Sequence, residues 1–257
     1  MLWLAKFAAA GDTLDMALAE SCTLQLAGRC GLAVPEVKVL DIGGQSVLLV
    51  RRFDRVGATA DVEQRLPFVS GLTLVACDEF ESRTKAYGHL AQAIREHVHP
   101  SQIRANCEEL FGRMVFNIFV SNDDDHLRNH GFLRHTAEQG QLPGWSLSPL
   151  YDVVPRPSVA FERQLHLQVG QQGKLATLDN AMSAYSAFTP QRTTAIAIIR
   201  RIWGELRQWR TTFEELGAAH PGMGRLLDQL APAMRSLGDI ASPALQAEIR
   251  KNRTEEN

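Results

Sequence analysis

Apolar residues crowd the first seven positions, MLWLAKF, as in a strand, and Lys6 is the single charge among them. Gly11, Asp12 and Thr13 form a candidate helix cap. DMALAESCTLQLAGRCG then carries apolar residues at helical spacing as far as Gly31, at the C-cap position, and predicts a helix of about five turns. VPEVKVL and SVLLVRRF are runs rich in β-branched residues separated by residues 41–45, DIGGQ, which predicts a hairpin. Past Arg55 the pattern changes: residues 56–66 are polar without a steady period, and from Ser82 onward helical spacing dominates, first over 87–98 and 103–120. Strand-like pieces follow in HGFLRH, GWSLSPLYDVV and RQLHLQV. Helices then return, the longest predicted over 190–216 with Ile198, Ile199, Ile202, Leu206 and Trp209 on its core-facing stripe.

This order predicts an α+β chain: a small mixed lobe over residues 1–51, a junction at 52–55, a larger mainly helical lobe over 56–250, and a frayed polar tail, KNRTEEN, at 251–257. No internal repeat interrupts it. The 257 residues, 45% hydrophobic and 22% charged, suffice for one large or two modest domains with proper cores. The net charge of −2 supplies no global positive field, so neither direct nucleic-acid binding nor an anionic membrane is expected. Cys22, Cys30, Cys77 and Cys107 form no CxxC pair and have no histidine at zinc-finger spacing, and no secretory signal is read at the N-terminus. Reduced thiols in a cytoplasmic protein are the expectation. No apolar window approaches the roughly 18 residues that a spanning helix needs.

The chemistry concentrates in VFNIFVSNDDDHLRNHGFL, residues 115–133, where three aspartates follow an apolar run. Protein kinases use a loop aspartate to orient the accepting hydroxyl and take its proton, with a metal-binding asparagine five positions later. Asp124 meets that spacing with Asn129, whereas Asp123 is followed at five by Arg128 and Asp125 by His130. Kinases also need a strand lysine, a glutamate on the next helix and a second metal-binding aspartate after a short hairpin. Lys6, Glu20 and Asp152 stand in that order, Asp152 between apolar neighbours in LYDV. Each part alone has an ordinary reading: Lys6 can snorkel at a strand edge, Glu20 can sit on a solvated face, and Asp123, Asp125 and His126 can be solvated or brace a loop. Arg128 reads as an anchor on loop carbonyls or a nearby carboxylate, and RFDR, residues 52–55, as a salt-bridged junction. The joint pattern is far more specific than any part.

LWLAKF, LAGRCGLAVPEVKV, LLVRRFDR, FNIFVSNDDDHLRNHGF, LSPLYDVVP and the late helix with Trp203 and Trp209 together resemble the HipA-like serine/threonine kinases, toxins of bacterial toxin–antitoxin modules. The likeness spans residues 1 to about 216 and is to the C-terminal portion of such proteins. It implies a two-lobe, protein-kinase-like fold and dependence on ATP and Mg²⁺. It implies that Lys6 contacts the ATP phosphates and Glu20 steadies it, that Arg51 to Phe53 form a hinge whose backbone meets adenine, that Asp124 is the catalytic aspartate, and that Asn129 and Asp152 hold magnesium. The partners implied are a protein substrate phosphorylated on serine, aminoacyl-tRNA synthetases being known targets, and a HipB-like DNA-binding antitoxin.

Family members carry, upstream of the lysine strand, an N-terminal subdomain, the first small-lobe strands and a glycine-rich loop with a regulatory serine. Nothing in these residues corresponds to them, since Gly43 and Gly44 follow the lysine strand as a hairpin tip. A truncated frame, or a separate polypeptide supplying the N-terminal subdomain, is the expectation, with weak nucleotide affinity and slow transfer by the chain alone. Two rival readings stand beside the kinase: a pseudokinase-like binding module, and a metal-dependent hydrolase in which His126 and His130, four apart, share an ion.

Overall fold

The computed structural model describes residues 2–9, 11–56, 64–136, 143–158, 160, 162–218 and 220–251; most of residues 56–66 and of the tail therefore lie outside it. β1 (Trp3–Lys6), β2 (Val37–Ile42) and β3 (Gln45–Arg51) form an antiparallel sheet in the order β1-β3-β2. The β2–β3 hairpin turns on Gly43 and Gly44, both at positive φ (64° and 80°), the two-residue turn whose twist suits a hairpin. α1 (Met16–Arg29) crosses between β1 and β2, and its N-terminus is capped by Asp15, which accepts from the Leu18 amide at 2.9 Å, rather than by residues 11–13. Asp12 is occupied elsewhere, closing its own loop by accepting from the Ala9 amide at 2.8 Å. The helix is thus 14 residues, about a turn shorter than its apolar spacing predicts. It ends where Gly31 takes φ 77° and the Leu32 amide reaches back to the Ala27 carbonyl at 3.1 Å.

β4 (Arg55–Val56) pairs with β5 (Gln64–Arg65), and β6 (Phe68–Ser70) leads into the short helices α2 (Gly71–Leu74) and α3 (Glu79–Ser82). α4 (Tyr87–His97) and α5 (Ile103–Val120) stand where their spacing predicts. A 3₁₀ turn at Leu127–Asn129 precedes β7 (Gly131–His135) and β8 (Gly144–Leu147), which complete a second antiparallel sheet in the order β6-β7-β8. The strand expected to run on to residue 154 stops at Leu147, because Pro149 lacks an amide for a ladder and Asp152 turns to φ 58°. RQLHLQV likewise forms only isolated bridges. Its amides serve separate partners: Leu165 donates to Lys174, His166 to the Asp125 side chain and Gln168 to Lys85.

α6 (Leu178–Ser183), α7 (Arg192–Leu206), α8 (Trp209–Leu216), α9 (Met223–Leu230), α10 (Leu237–Ile240) and α11 (Pro243–Arg250) complete the chain. The single helix predicted over 190–216 is two. Its apolar stripe stays in phase through 206, 209, 213 and 216, but α7 packs on α5 and α11 while α8 packs on α1 and α9, and the chain bends at Arg207 and Gln208 to serve both. α5 is the central core helix, buried continuously from Leu110 to Val120. It holds a buried Arg113, which donates to Glu109 at 2.9 Å and to the Ser148 carbonyl at 2.7 Å. Ser121 then takes φ 52°, ending α5 and releasing the polar loop.

That loop is held tightly against α2. A methyl group on Gly71 would meet Leu90 at 2.6 Å and the Leu127 carbonyl at 2.9 Å. Gly71→Ala is therefore expected to destabilise the fold by roughly 1–3 kcal/mol, read as a lower urea midpoint with an unchanged slope; an unchanged midpoint would mean that the contact yields freely.

Candidate active site

Lys6 and Glu20 are 14 positions apart on β1 and α1, and the fold makes them partners: Lys6 Nζ donates to Glu20 Oε1 at 2.7 Å and Oε2 at 2.9 Å. The same ammonium donates to Asp152 Oδ1 at 2.8 Å, 146 positions away. Burial opposes the lysine charge, yet the two carboxylates outweigh it and hold the Lys6 pKa above its usual value. Glu20 is pushed up by burial more than Lys6 pulls it down. Asp152 is half exposed, on a left-handed residue that turns its carboxylate back to the lysine.

Lys6 and Glu20 border a cavity of about 300 Å³ whose remaining walls are mostly apolar: Leu4 and Val50 from the first sheet, and Phe53, Phe68 and Tyr151 opposite. The three rings pack as a cluster with centroids 5.8 to 6.3 Å apart, and the Tyr151 hydroxyl donates to the Arg128 carbonyl at 2.6 Å, tying the slot to the aspartate loop. Arg51 and Arg52 line the same cavity. Arg52 grips Asp54 through two bonds, at 2.9 and 2.7 Å, and with Arg55 at 2.6 Å holds the Asp54 carboxyl below its usual range. Residues 52–55 are thus ion-paired, and 52–54 also form a wall of the slot.

The three aspartates separate completely. Asp123 faces solvent and Asp124 is partly exposed, both beside Arg156, which reaches Asp124 Oδ2 at 2.7 Å and Asp123 Oδ1 at 3.4 Å. Asp125 is buried. Asn129 closes the five-residue spacing, its Nδ2 donating to the Asp124 carbonyl at 2.7 Å, so the amide is fixed and its oxygen is the remaining acceptor. Arg128 pairs with Glu79 on α3, the anchoring expected of it. His126 packs edge-on to His166 at 5.7 Å, whereas His130 is buried edge-on to Tyr87 at 5.4 Å, with its pKa driven by burial down to about 3. The segment between them is not an α-helix, so the four-residue spacing brings no shared ligand face. Among the described residues no three His, Cys, Asp or Glu side chains form a group that could hold a metal ion.

Sequence spacing missed Arg156, Phe68, Tyr151, Tyr87 and His166, all placed by contacts more than 20 positions away. The arrangement can hold a flat apolar group in the slot and a polyanion at Lys6, with the Glu20 and Asp152 carboxylates beside it.

The sequence pattern of the HipA-like C-terminal domain family matches residues 1–210. No curated protein sequence matches the chain. Among solved structures, HipA of Shewanella oneidensis MR-1, from a toxin–antitoxin complex with HipB and operator DNA, aligns with a TM-score of 0.70 at 19% identity, covering 92% of this chain and 58% of that one. The Helicobacter pylori proinflammatory kinase CtkA aligns with a TM-score of 0.60 at 14% identity, covering 97% of this chain and 89% of that one. The chain therefore spans a little over half the length of that HipA. No helix among the described residues is long and apolar enough to cross a membrane. The mixed α/β fold is kinase-like, and the chain belongs to the HipA-like C-terminal domain family.

Proposed function

We propose that the chain carries out ATP- and Mg²⁺-dependent transfer of phosphate to a serine hydroxyl of a protein. The observation that carries this reading is the Lys6 ammonium held between Glu20 and Asp152 at the end of an apolar slot. The residues fit the nucleotide: the aromatic and aliphatic walls suit a flat base, a desolvated lysine suits phosphate, and one carboxylate with one amide oxygen suits a hard cation that takes its other ligands from phosphate and water. Magnesium-bound ATP, when bound, supplies the phosphoryl group.

In this reading residues 52–55 are the hinge between a small lobe, 1–51, and a helical lobe, 56–250. Phe53 would pack on the base, with the backbone from Arg51 to Phe53 along its edge. Glu20 would keep Lys6 aimed at the phosphates, while Asp152 and Asn129 would hold the metal. Asp124 orients the serine hydroxyl and accepts its proton; Arg156 occupies Oδ2, which points to Oδ1 as the accepting oxygen. The HipB and operator DNA found with the Shewanella HipA support a HipB-like antitoxin as partner and a cytoplasmic toxin as the role; an aminoacyl-tRNA synthetase is a candidate substrate. Incubation with γ-labelled ATP, magnesium and a serine-rich test protein is expected to yield phosphoserine at a rate that depends on magnesium. Labelling that ignores magnesium, or none at saturating nucleotide, would overturn the reading.

A further inference from the structure

The triple aspartate contains a carboxylate that this reaction leaves unused. Asp125 is 1% exposed. Its Oδ2 accepts from the Tyr87 hydroxyl at 2.6 Å and its Oδ1 from the His166 backbone amide at 2.6 Å. Tyr87, fully buried at the start of α4, accepts in turn from Asn117 Nδ2 on α5 at 3.0 Å, and Asn117 Oδ1 accepts from Asn122 Nδ2 at 3.1 Å. The chain of bonds thus begins at Asn122 and ends at Asp125, on the same loop. Both ends of residues 122–125 are tied inward to α4 and α5, and Asp124 between them is turned out. Asn129 hangs on the Asp124 carbonyl, so its place is set by the same course of backbone.

A leucine in that space would fill it without the cost of burying a carboxylate. What the carboxylate adds is direction: it must meet two donors at fixed angles, so the loop has one course rather than several. We propose, resting on the phosphotransfer reading above, that Asp125 and Tyr87 are a positioning pair whose buried contact sets the loop and thereby aims Asp124 and Asn129 at the cleft. Neither touches the reacting atoms.

The pair has a pH signature. Burial pushes the Asp125 carboxyl up to about 7. The folded chain therefore binds this proton more tightly than the unfolded one, and the stability so gained is complete at low pH and lost as pH rises from the ordinary aspartate range through about 7. Both contacts are donors, so the ionised form is the one they satisfy, and transfer should rise with pH over the interval near 7 in which Asp125 ionises. The other charged or titratable groups nearby are Tyr87 on α4, held protonated well above the phenol range, Arg113 on α5, His166, whose pKa burial lowers, His130, already neutral, and the loop's own Asp124 and His126. His126 is the group that must be separated experimentally.

The test compares the wild-type chain with Tyr87→Phe, Asp125→Asn and His126→Gln, using magnesium ATP and a serine-rich test protein, alongside amide hydrogen exchange. Tyr87→Phe keeps the ring and loses one hydroxyl, so it serves if Asp125→Asn fails to fold. Losing one charge-assisted bond should speed exchange of the His166 amide and lower kcat on the order of tenfold, with the KM for ATP unchanged. The limb near pH 7 should vanish in Asp125→Asn and persist in His126→Gln. Unchanged exchange and kcat in folded Tyr87→Phe would overturn the proposal, as would a limb that follows His126. If the wild type transfers no phosphate at all, the phosphotransfer reading fails by itself, and the exchange data still show whether the pair holds the loop.

Discussion

Asp124→Asn is expected to lower phosphate transfer to serine by about 10²- to 10⁴-fold while leaving the affinity for magnesium ATP within about twofold of wild type. The asymmetry follows from position. Asp124 sits on the loop, its carboxylate turned out beside Arg156, whereas the apolar slot and Lys6 lie against the first sheet and the aromatic cluster. An asparagine keeps the size and the Arg156-facing oxygen but cannot accept the serine proton. Asp123→Asn is the control within the same triplet: it loses an exposed ion pair of the kind worth about 0–1 kcal/mol and should transfer phosphate nearly normally. Transfer rates and binding isotherms on the two variants separate the cases, and an equal loss from Asp123→Asn would contradict the assignment.

Asp152→Asn should act at the other end of the reaction. In the structure Lys6 divides its hydrogens between Glu20 and Asp152. Removing the Asp152 charge takes away the one carboxylate proposed for the metal, and the gain in ATP affinity conferred by magnesium should fall by about tenfold or more. Affinity for ATP without magnesium should stay level or improve, because Lys6 then has one carboxylate fewer to release before meeting phosphate. Opposite signs with and without metal are hard to obtain from general destabilisation. A parallel loss in both conditions would mean that Asp152 serves the fold and not the metal.

Local pattern carried much of the architecture. α4, α5, the β2–β3 hairpin and β7 each depend on spacing or turn residues within one short window, and they stand where spacing places them. The failures come from distance. Apolar phase continues unbroken across Arg207 and Gln208, yet the two halves of that segment answer to different neighbours, which no local period encodes. In the site, Lys6, Glu20 and Asp152 could be named because each occupies a definite place in a known order of elements, and the fold draws them to one point. Asp125 reads as one more charge in a charged run; its burial depends on Tyr87, 38 positions back, and on His166, 41 positions ahead. Arg156 and the ring cluster of Phe53, Phe68 and Tyr151 were hidden for the same reason.

The most direct test of the central claim, that Lys6, Glu20, Asn129 and Asp152 border a magnesium–nucleotide site, is isothermal titration of the folded chain with ATP, with and without magnesium. The account predicts saturable binding that magnesium strengthens and that Asp152→Asn makes insensitive to the metal. Absence of metal-dependent binding at millimolar nucleotide, in a sample shown to be folded, would contradict it.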